Sequence, residues 1–324
     1  MSDRGIWRIG IYVAGTGCLL LGILFAMTST AKAALIVDDS WADGGRTDGA
    51  DPLDTNWWSS TSNTGNSIEV SAGSLGMISG TSGRGIHGTF PAQNLTSVGD
   101  TLKATFTFTT PATVGSAAAS FKVGLFSMAA GSVNLAADIN ASSSSPNAIY
   151  NPVPGYWMDY DVKTGAPAGT ENITFREKDP VPGTGGVLLA AAGDFKNAAA
   201  NGFPATVSGG NAYVFAPNTT YTGTFSITKS AGGLDLSGSL SQGASLLSTF
   251  TMSSDSSPST TSFDVLGFHA NSNVFGSTTS NAAGADNGID FSNIKIEFIA
   301  VPEPATVLLL GLAVLFLPAR QGGR

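Results

Sequence analysis

The sequence predicts an all-β chain, an antiparallel β-sandwich, flanked by an N-terminal signal helix and a C-terminal hydrophobic helix. Three observations carry this. Apolar residues alternate with polar ones at period two over several stretches, which buries one face of each strand. Helical periodicity of useful length is absent outside the two ends. Gly contributes 41 of the 324 residues and charged residues only 12%, while aromatic residues, at 9%, are enough to build a core.

The N-terminus opens with Arg4 and Arg8, followed by an apolar run from Ile9 to Met27 and then Ala31-Lys32-Ala33. A basic start, an apolar core and a small-x-small site are what export machinery and signal peptidase read, the peptidase pocket admitting only small side chains. The expected cut follows Ala33, so residues 1–33 are a signal peptide and 34–300 the β-sandwich domain. The one cysteine, Cys18, lies inside the signal run. The body therefore has no thiol with which to form a disulfide, a thiolate metal site or a cysteine nucleophile.

Strands follow in order. Leu102, Ala104, Phe106 and Phe108 face one way and Lys103, Thr105, Thr107 and Thr109 the other. Phe121, Val123 and Leu125 repeat the pattern. Tyr221, Gly223, Phe225 and Ile227 alternate with hydroxyl residues and, across a turn at Gly232-Gly233, Leu234, Leu236 and Leu240 follow, which predicts a hairpin over 220–241. Ile294, Ile296 and Phe298 form the last strand, with a bulge expected at Ser292-Asn293 after Ile289 and Phe291. Val187 to Ala200 is Ala-rich and reads as a short helix or a loop. One-sided alternation means sheets with a solvated outer side, so two such sheets must close their apolar faces together.

The body, Ala34 to Glu303, holds 22 acidic and 10 basic residues, a net charge of −12. So acidic a surface excludes nucleic acid and anionic lipid as partners. The two histidines, His87 and His269, lack the spacing of a zinc-hydrolase helix and read as ordinary strand or loop residues. Asp159 and Asp161 share a strand face at spacing two, read as a solvated face, and no Glu-x-Asp-x-x-Glu run is present. Two further groups are candidates. Trp57-Trp58 and Tyr156-Trp157 place flat side chains beside turn-rich segments, one of each pair expected in the core and the other exposed for sugar contact. Asp43, Asp48 and Asp51, with Asp54, crowd a Gly-rich loop whose oxygens suit a structural Ca²⁺, although Asp-Gly is also turn chemistry.

The C-terminus, 301–324, is the most specific feature. Val301-Pro302-Glu303-Pro304 is followed by an apolar run from Ala305 through Leu310 to Leu317, then Arg320 and Arg324. The prolines forbid regular helix and hold Glu303 extended. At ~1.5 Å per residue, Ala305–Leu317 makes a helix of about 20 Å, short of the ~30 Å hydrocarbon layer. The basic end stays on the cytoplasmic side.

This segment resembles the PEP-CTERM sorting signal of Gram-negative bacteria, the match resting on Val301, Pro302, Glu303 and Pro304 and departing in the spacing of Arg320 from Arg324. The resemblance implies recognition by an exosortase after transient inner-membrane insertion, then passage to the cell surface or extracellular matrix, with a link to exopolysaccharide and biofilm. The body more weakly resembles concanavalin A-like lectin/glucanase and laminin-G-like jelly rolls, through Gly99-Asp100-Thr101-Leu102, Val123 to Phe126 and Ile289 to Ile296. The expectation is a non-catalytic exported protein associated with exopolysaccharide. Its alternative is a secreted polysaccharide hydrolase or lyase on the same fold.

Overall fold

The computed structural model describes residues 32–47, 53–61, 68–78, 83–115, 120–141, 147–162, 172–178, 187–189, 195–196, 203–204, 207–272, 274–275 and 288–301. The chain divides into a body, Ala33–Ile299, and a second unit formed by Met1–Lys32 with Ala300–Arg324. Of the second unit only Lys32, Ala300 and Val301 are described, so the signal run, Ala31, Pro302 to Pro304, the apolar tail and its arginines lie outside the described residues. Among the described residues no helix is long and apolar enough to cross a membrane.

The body is an antiparallel β-sandwich. In chain order its strands are β1 (Lys32–Asp39), β2 (Trp57–Ser59), β3 (Ile68–Ser71), β4 (Ser74–Ile78), β5 (Arg84–Asn94), β6 (Thr101–Thr109), β7 (Ser120–Phe126) and β8 (Gly155–Asp161). There follow β9 (Ile173–Lys178), β10 (Phe195–Lys196), β11 (Ser208–Gly209), β12 (Thr220–Ser230), β13 (Gly233–Gln242), β14 (Ser245–Asp255), β15 (Ser262–Ala270) and β16 (Gly288–Ala300). One sheet runs β14-β13-β12-β6-β16-β4-β3, with β1 also on β16; the other runs β10-β9-β8-β7-β15-β5-β2, with β11 also on β9.

The first sheet is one-sided, as its alternation predicts. Leu102, Ala104, Phe106 and Phe108 of β6 are fully buried. The opposite face carries hydroxyls that bridge neighbouring strands: Thr101 to Thr228 and Thr109 to Thr220 at 2.9 Å, Thr224 to Ser239 at 2.7 Å. The hairpin is β12–β13, with Phe225 opposite Gly238 and its turn at Ala231-Gly232, one residue earlier than expected. The register of β16 against β6 shifts between Phe291 and Asn293, at the expected bulge.

Aromatic rings from both sheets fill the interior. Phe268 of β15 lies 4.6 Å from Phe291 and 5.3 Å from Phe106, and Phe108 lies 5.1 Å from Phe121. Such contacts add to the area each ring buries.

The second sheet departs from expectation, because both of its faces are covered. Phe126, Trp157 and Val265 on its outer face join Leu135, Ile139, Ala141, Tyr150, Val153 and Val187 to Leu189 in a separate apolar cluster. The cover is made by segments 127–141 and 147–153 and by the short run 187–189. It is tied down locally. Asp264 of β15 accepts from the Met128 and Ala129 amides at 2.7 and 3.1 Å, at the start of the one-turn helix α1 (Met128–Gly131). Arg46 holds Asp138 through two parallel bonds of 2.8 and 2.9 Å. Val187 to Leu189 is not helical, and Phe195-Lys196 pairs with β9 as a strand, so the helical option for 187–200 fails where it is described.

Candidate functional site

The outer face of the second sheet holds the chemistry. Pairing places Arg176, Trp157, Gly124, Gly267, His87 and Trp58 side by side across β9, β8, β7, β15, β5 and β2. Two residues along, about 7 Å away, the adjacent row is Thr174, Asp159, Lys122, His269 and Gly85.

Two glycines at the centre of the first row leave a trough. The side chains of Leu188 and Leu189 fill it: a Cβ at Gly267 would stand 3.0 Å from Leu189 Cδ1 and 3.2 Å from Leu188 Cδ2. One at Gly124 would stand 3.0 Å from Leu189 Cδ2. A Cβ at Gly124 would meet the Phe126 ring even sooner than Leu189, so a larger residue there displaces Phe126, and one at Gly267 crowds the ends of Leu188 and Leu189.

Beside the trough lies a charged group. Lys122, only 5% exposed, donates from Nζ to the Leu189 carbonyl at 3.1 Å and sits 4.5 Å from the Trp157 ring centroid. The Arg176 guanidinium lies 6.0 Å from the same ring. Burial pulls the Lys122 ammonium down to about 8, partly opposed by the charge of Asp159. Burial pushes the Asp159 carboxyl up to about 6 against the influence of Lys122, Ser120 and Arg176. Burial, then the charges of Lys122 and Arg84, holds His269 well below the ordinary imidazole range. Asp159 Oδ1, Arg176 Nε and His269 Nδ1 are enclosed without a hydrogen-bond partner among the described residues.

The expected pairs behave differently from one another. Trp57 is a core residue whose Nε1 donates to Asp39 Oδ2 at 2.7 Å, and Trp58 is half-buried on the outer face with Arg46 5.9 Å from its ring. Tyr156 is likewise in the core, its hydroxyl donating to Asp255 Oδ2 at 2.5 Å. Trp157 points outward as alternation requires, yet it is 1% exposed, because segments 127–141, 147–153 and 187–189 roof that face. It is not the open platform expected. Asp159 and Asp161 do share this face, but Asp159 stands in the charged group instead of on a solvated surface.

His87 is fully buried, its Nε2 2.6 Å from the Leu135 carbonyl, and burial takes it down to about 4. A carbonyl only accepts, so Nε2 carries the proton. In the acidic loop, Asp43 Oδ1 accepts from the Gly45 amide at 2.9 Å, an Asx turn, while Asp48 and Asp51 lie outside the described residues. Among the described residues no group of three acidic, His or Cys side chains is placed to hold a metal. The described part of the loop thus fits a turn and does not by itself make a calcium site. Ala33 and Val301 are exposed at the start of β1 and just after β16.

Lys122 and Arg176 were not singled out by sequence reasoning. The signal for Lys122 was its place between Phe121 and Val123, with a further apolar run after it.

No family model matches the chain, and no curated protein matches its sequence. Among solved structures it is similar to lectin II from Ulex europaeus, at 9% identity and a TM-score of 0.44, covering 84% of this chain and all of that one. A basic winged bean lectin gives 8% identity and 0.43 over 85% of this chain and all of the lectin. An alginate lyase solved with an alginate trisaccharide gives 11% and 0.37 over 84% of this chain and all of the lyase. These are likenesses of strand arrangement, and the functional reading rests on the chain's own residues.

Proposed function

We propose that this chain is an exported surface or extracellular-matrix protein, delivered by its signal peptide, held briefly in the inner membrane and sorted by an exosortase. Its body is a non-catalytic component associated with exopolysaccharide. The observation that carries this is the pair of terminal sequences. An Ala31-Lys32-Ala33 site follows an apolar run at one end, and Val301-Pro302-Glu303-Pro304 precedes a short apolar run and Arg320 at the other. The body between them is a β-sandwich with one hydroxyl-rich sheet face. That face is suited to a hydrated polysaccharide surround, and half-buried Trp58 offers a ring on the other sheet.

The test is Glu303→Ala, followed by cell fractionation. The expected outcome is a precursor retained in the inner membrane with its C-terminal segment uncut. Unchanged processing and location would remove the sorting reading.

A second reading, a secreted polysaccharide hydrolase or lyase, is favoured by one observation. Asp159, near 6, and Lys122, near 8, are a carboxyl and an amine poised on one face near neutral pH, as acid–base chemistry requires. Appearance of reducing or unsaturated sugar ends from an exopolysaccharide, lost in Asp159→Asn, would establish it. Calcium at Asp43, Asp48 and Asp51 remains part of the proposal, and polysaccharide binding with and without EDTA tests it.

A further inference from the structure

We infer that one end of the body, formed by the start of β1, the close of β16 and the β5–β6 turn, is a membrane-seating surface that rests on a lipid bilayer through Leu35 and Val98. This rests on the membrane-tethered reading of the two terminal segments and names the lipid surface as the partner of the body while it is tethered.

Strand pairing brings these parts together. Along one edge of β16, β6 pairs from Asp290 to Ile299; on the other edge β4 covers Gly288 to Phe291. β1 therefore lies along the remainder of that second edge. Asn293 and Lys295 each donate to the Asp38 carboxylate at 2.9 Å, near the far end of β1, so the start of β1 lies beside the close of β16. Thr101 stands opposite Ile299, which sets the β5–β6 turn at the same place. That turn is fixed in shape. Asp100 Oδ2 accepts from the Ser97 and Thr96 amides at 2.7 and 3.0 Å, and Gly99 takes a φ of +97° while its amide donates to the Lys229 carbonyl at 2.7 Å. Val98 is thereby held outward, 59% exposed, and Leu35 is 38% exposed. Ala33 and Ala34 beside Leu35 are exposed too, as are Ala231 and Gly232 in the turn that follows Lys229.

The occupant follows from where the chain leads. Ala305, the first residue of the apolar tail, comes six positions after Ile299, and Ala33 comes six positions after Met27, the last residue of the signal run. At no more than ~3.6 Å per residue, either leash spans about 20 Å at most. The headgroup layer alone takes about 5–8 Å of that. An end held so close to a bilayer turns its exposed apolar side chains toward the headgroup and acyl boundary. Charge does not oppose the approach at this end, although the body carries −12. Asp100 is 3% exposed, Glu297 has Lys103 at 3.8 Å, Asp38 has Lys295 at 2.9 Å, and Asp235 accepts from the Ser254 amide at 2.7 Å. The contact is therefore apolar, made with neutral headgroups.

The experiment reconstitutes the full chain, with Cys18→Ser, into phosphatidylcholine vesicles and attaches an environment-sensitive fluorophore through Val98→Cys, Leu35→Cys or, as a control, Leu246→Cys. Leu246 is 60% exposed and lies toward the other end of the first sheet, in line through Ser241 and Thr222 with Thr107. The Val98→Cys and Leu35→Cys probes should emit to the blue, and a spin label on the lipid headgroup should quench them about twofold or more, as side chains at the boundary require. The Leu246→Cys probe should show neither effect, and high salt should leave the shift in place. Leu35→Cys serves alone if Val98→Cys folds poorly by circular dichroism. Carbonate extraction of the same vesicles separates the two readings. A chain that stays in the membrane while its Val98→Cys and Leu35→Cys probes behave like the Leu246→Cys probe, or lose their shift in salt, overturns the seating surface and leaves the tether standing. Release of the chain by carbonate overturns both.

Discussion

His87 shows at the scale of one residue what the covered sheet face imposes. It is fully enclosed, bonded through Nε2 to the Leu135 carbonyl, and held as neutral imidazole. Its proton affinity falls from 6.5 to about 4, so the unfolded chain binds a proton where the folded one does not. Stability from this group is complete above pH 6.5, is lost as pH falls toward 4, and levels off below that. The shift corresponds to about 3 kcal/mol. Denaturant melts between pH 7 and pH 4 should show the wild type losing about that much more than His87→Gln, which keeps a donor and does not titrate. Asp159 acts in the opposite sense. Raised from 3.8 to about 6, it favours the fold below 3.8, and the contribution disappears as pH rises through 6. The comparison with the variant isolates the histidine because Asp159 is common to both chains.

At the scale of elements, strands exposed on one side were legible and the doubly covered sheet was not read as such. The alternation in β6, β12 and β13 gave their inner faces, the hairpin and the bulge of β16, because one solvated side leaves polar residues at every second position. In β15, Ser-Phe-Asp-Val-Leu-Gly-Phe-His-Ala, the alternation collapses and every residue after Ser262 is buried. That near-continuous run is the mark of a strand packed on both faces. The charged group stayed hidden for the same reason. Lys122 interrupts Phe121 and Val123 as a polar residue of a solvated face would, and only the cover formed by distant residues 187–189 makes it a buried one. Each aromatic pair is expected to have one core and one exposed member; Trp57 and Tyr156 are the core members, and the same cover encloses Trp157, so the second pair has no exposed ring. The glycine trough gives this scale its prediction. Gly267→Val drives a branched side chain into the space of Leu188 and Leu189 and should cost about 1–3 kcal/mol, measured by urea melts. It should also loosen the 187–189 segment, read as faster proteolysis there.

The whole molecule combines an acidic body with an interior held without covalent cross-links. Cys18 is the only cysteine and precedes the body, so no disulfide constrains the two sheets. Phe106, Phe108, Phe121, Phe268 and Phe291 do that work from both sides of the interior. Thermal melts with and without a thiol reductant should therefore coincide, and a lower midpoint in reductant would show a covalent link that the sequence does not supply.

Val187, Leu188 and Leu189 are a tripeptide resting on the floor of one sheet, and neither sheet takes any of its own strand pairing from them. What occupies that recess is therefore encoded separately from the scaffold beneath it. Exchanging three codons would re-furnish the recess, as an engineer might graft a new epitope, while the register of the strands that frame it stayed the same.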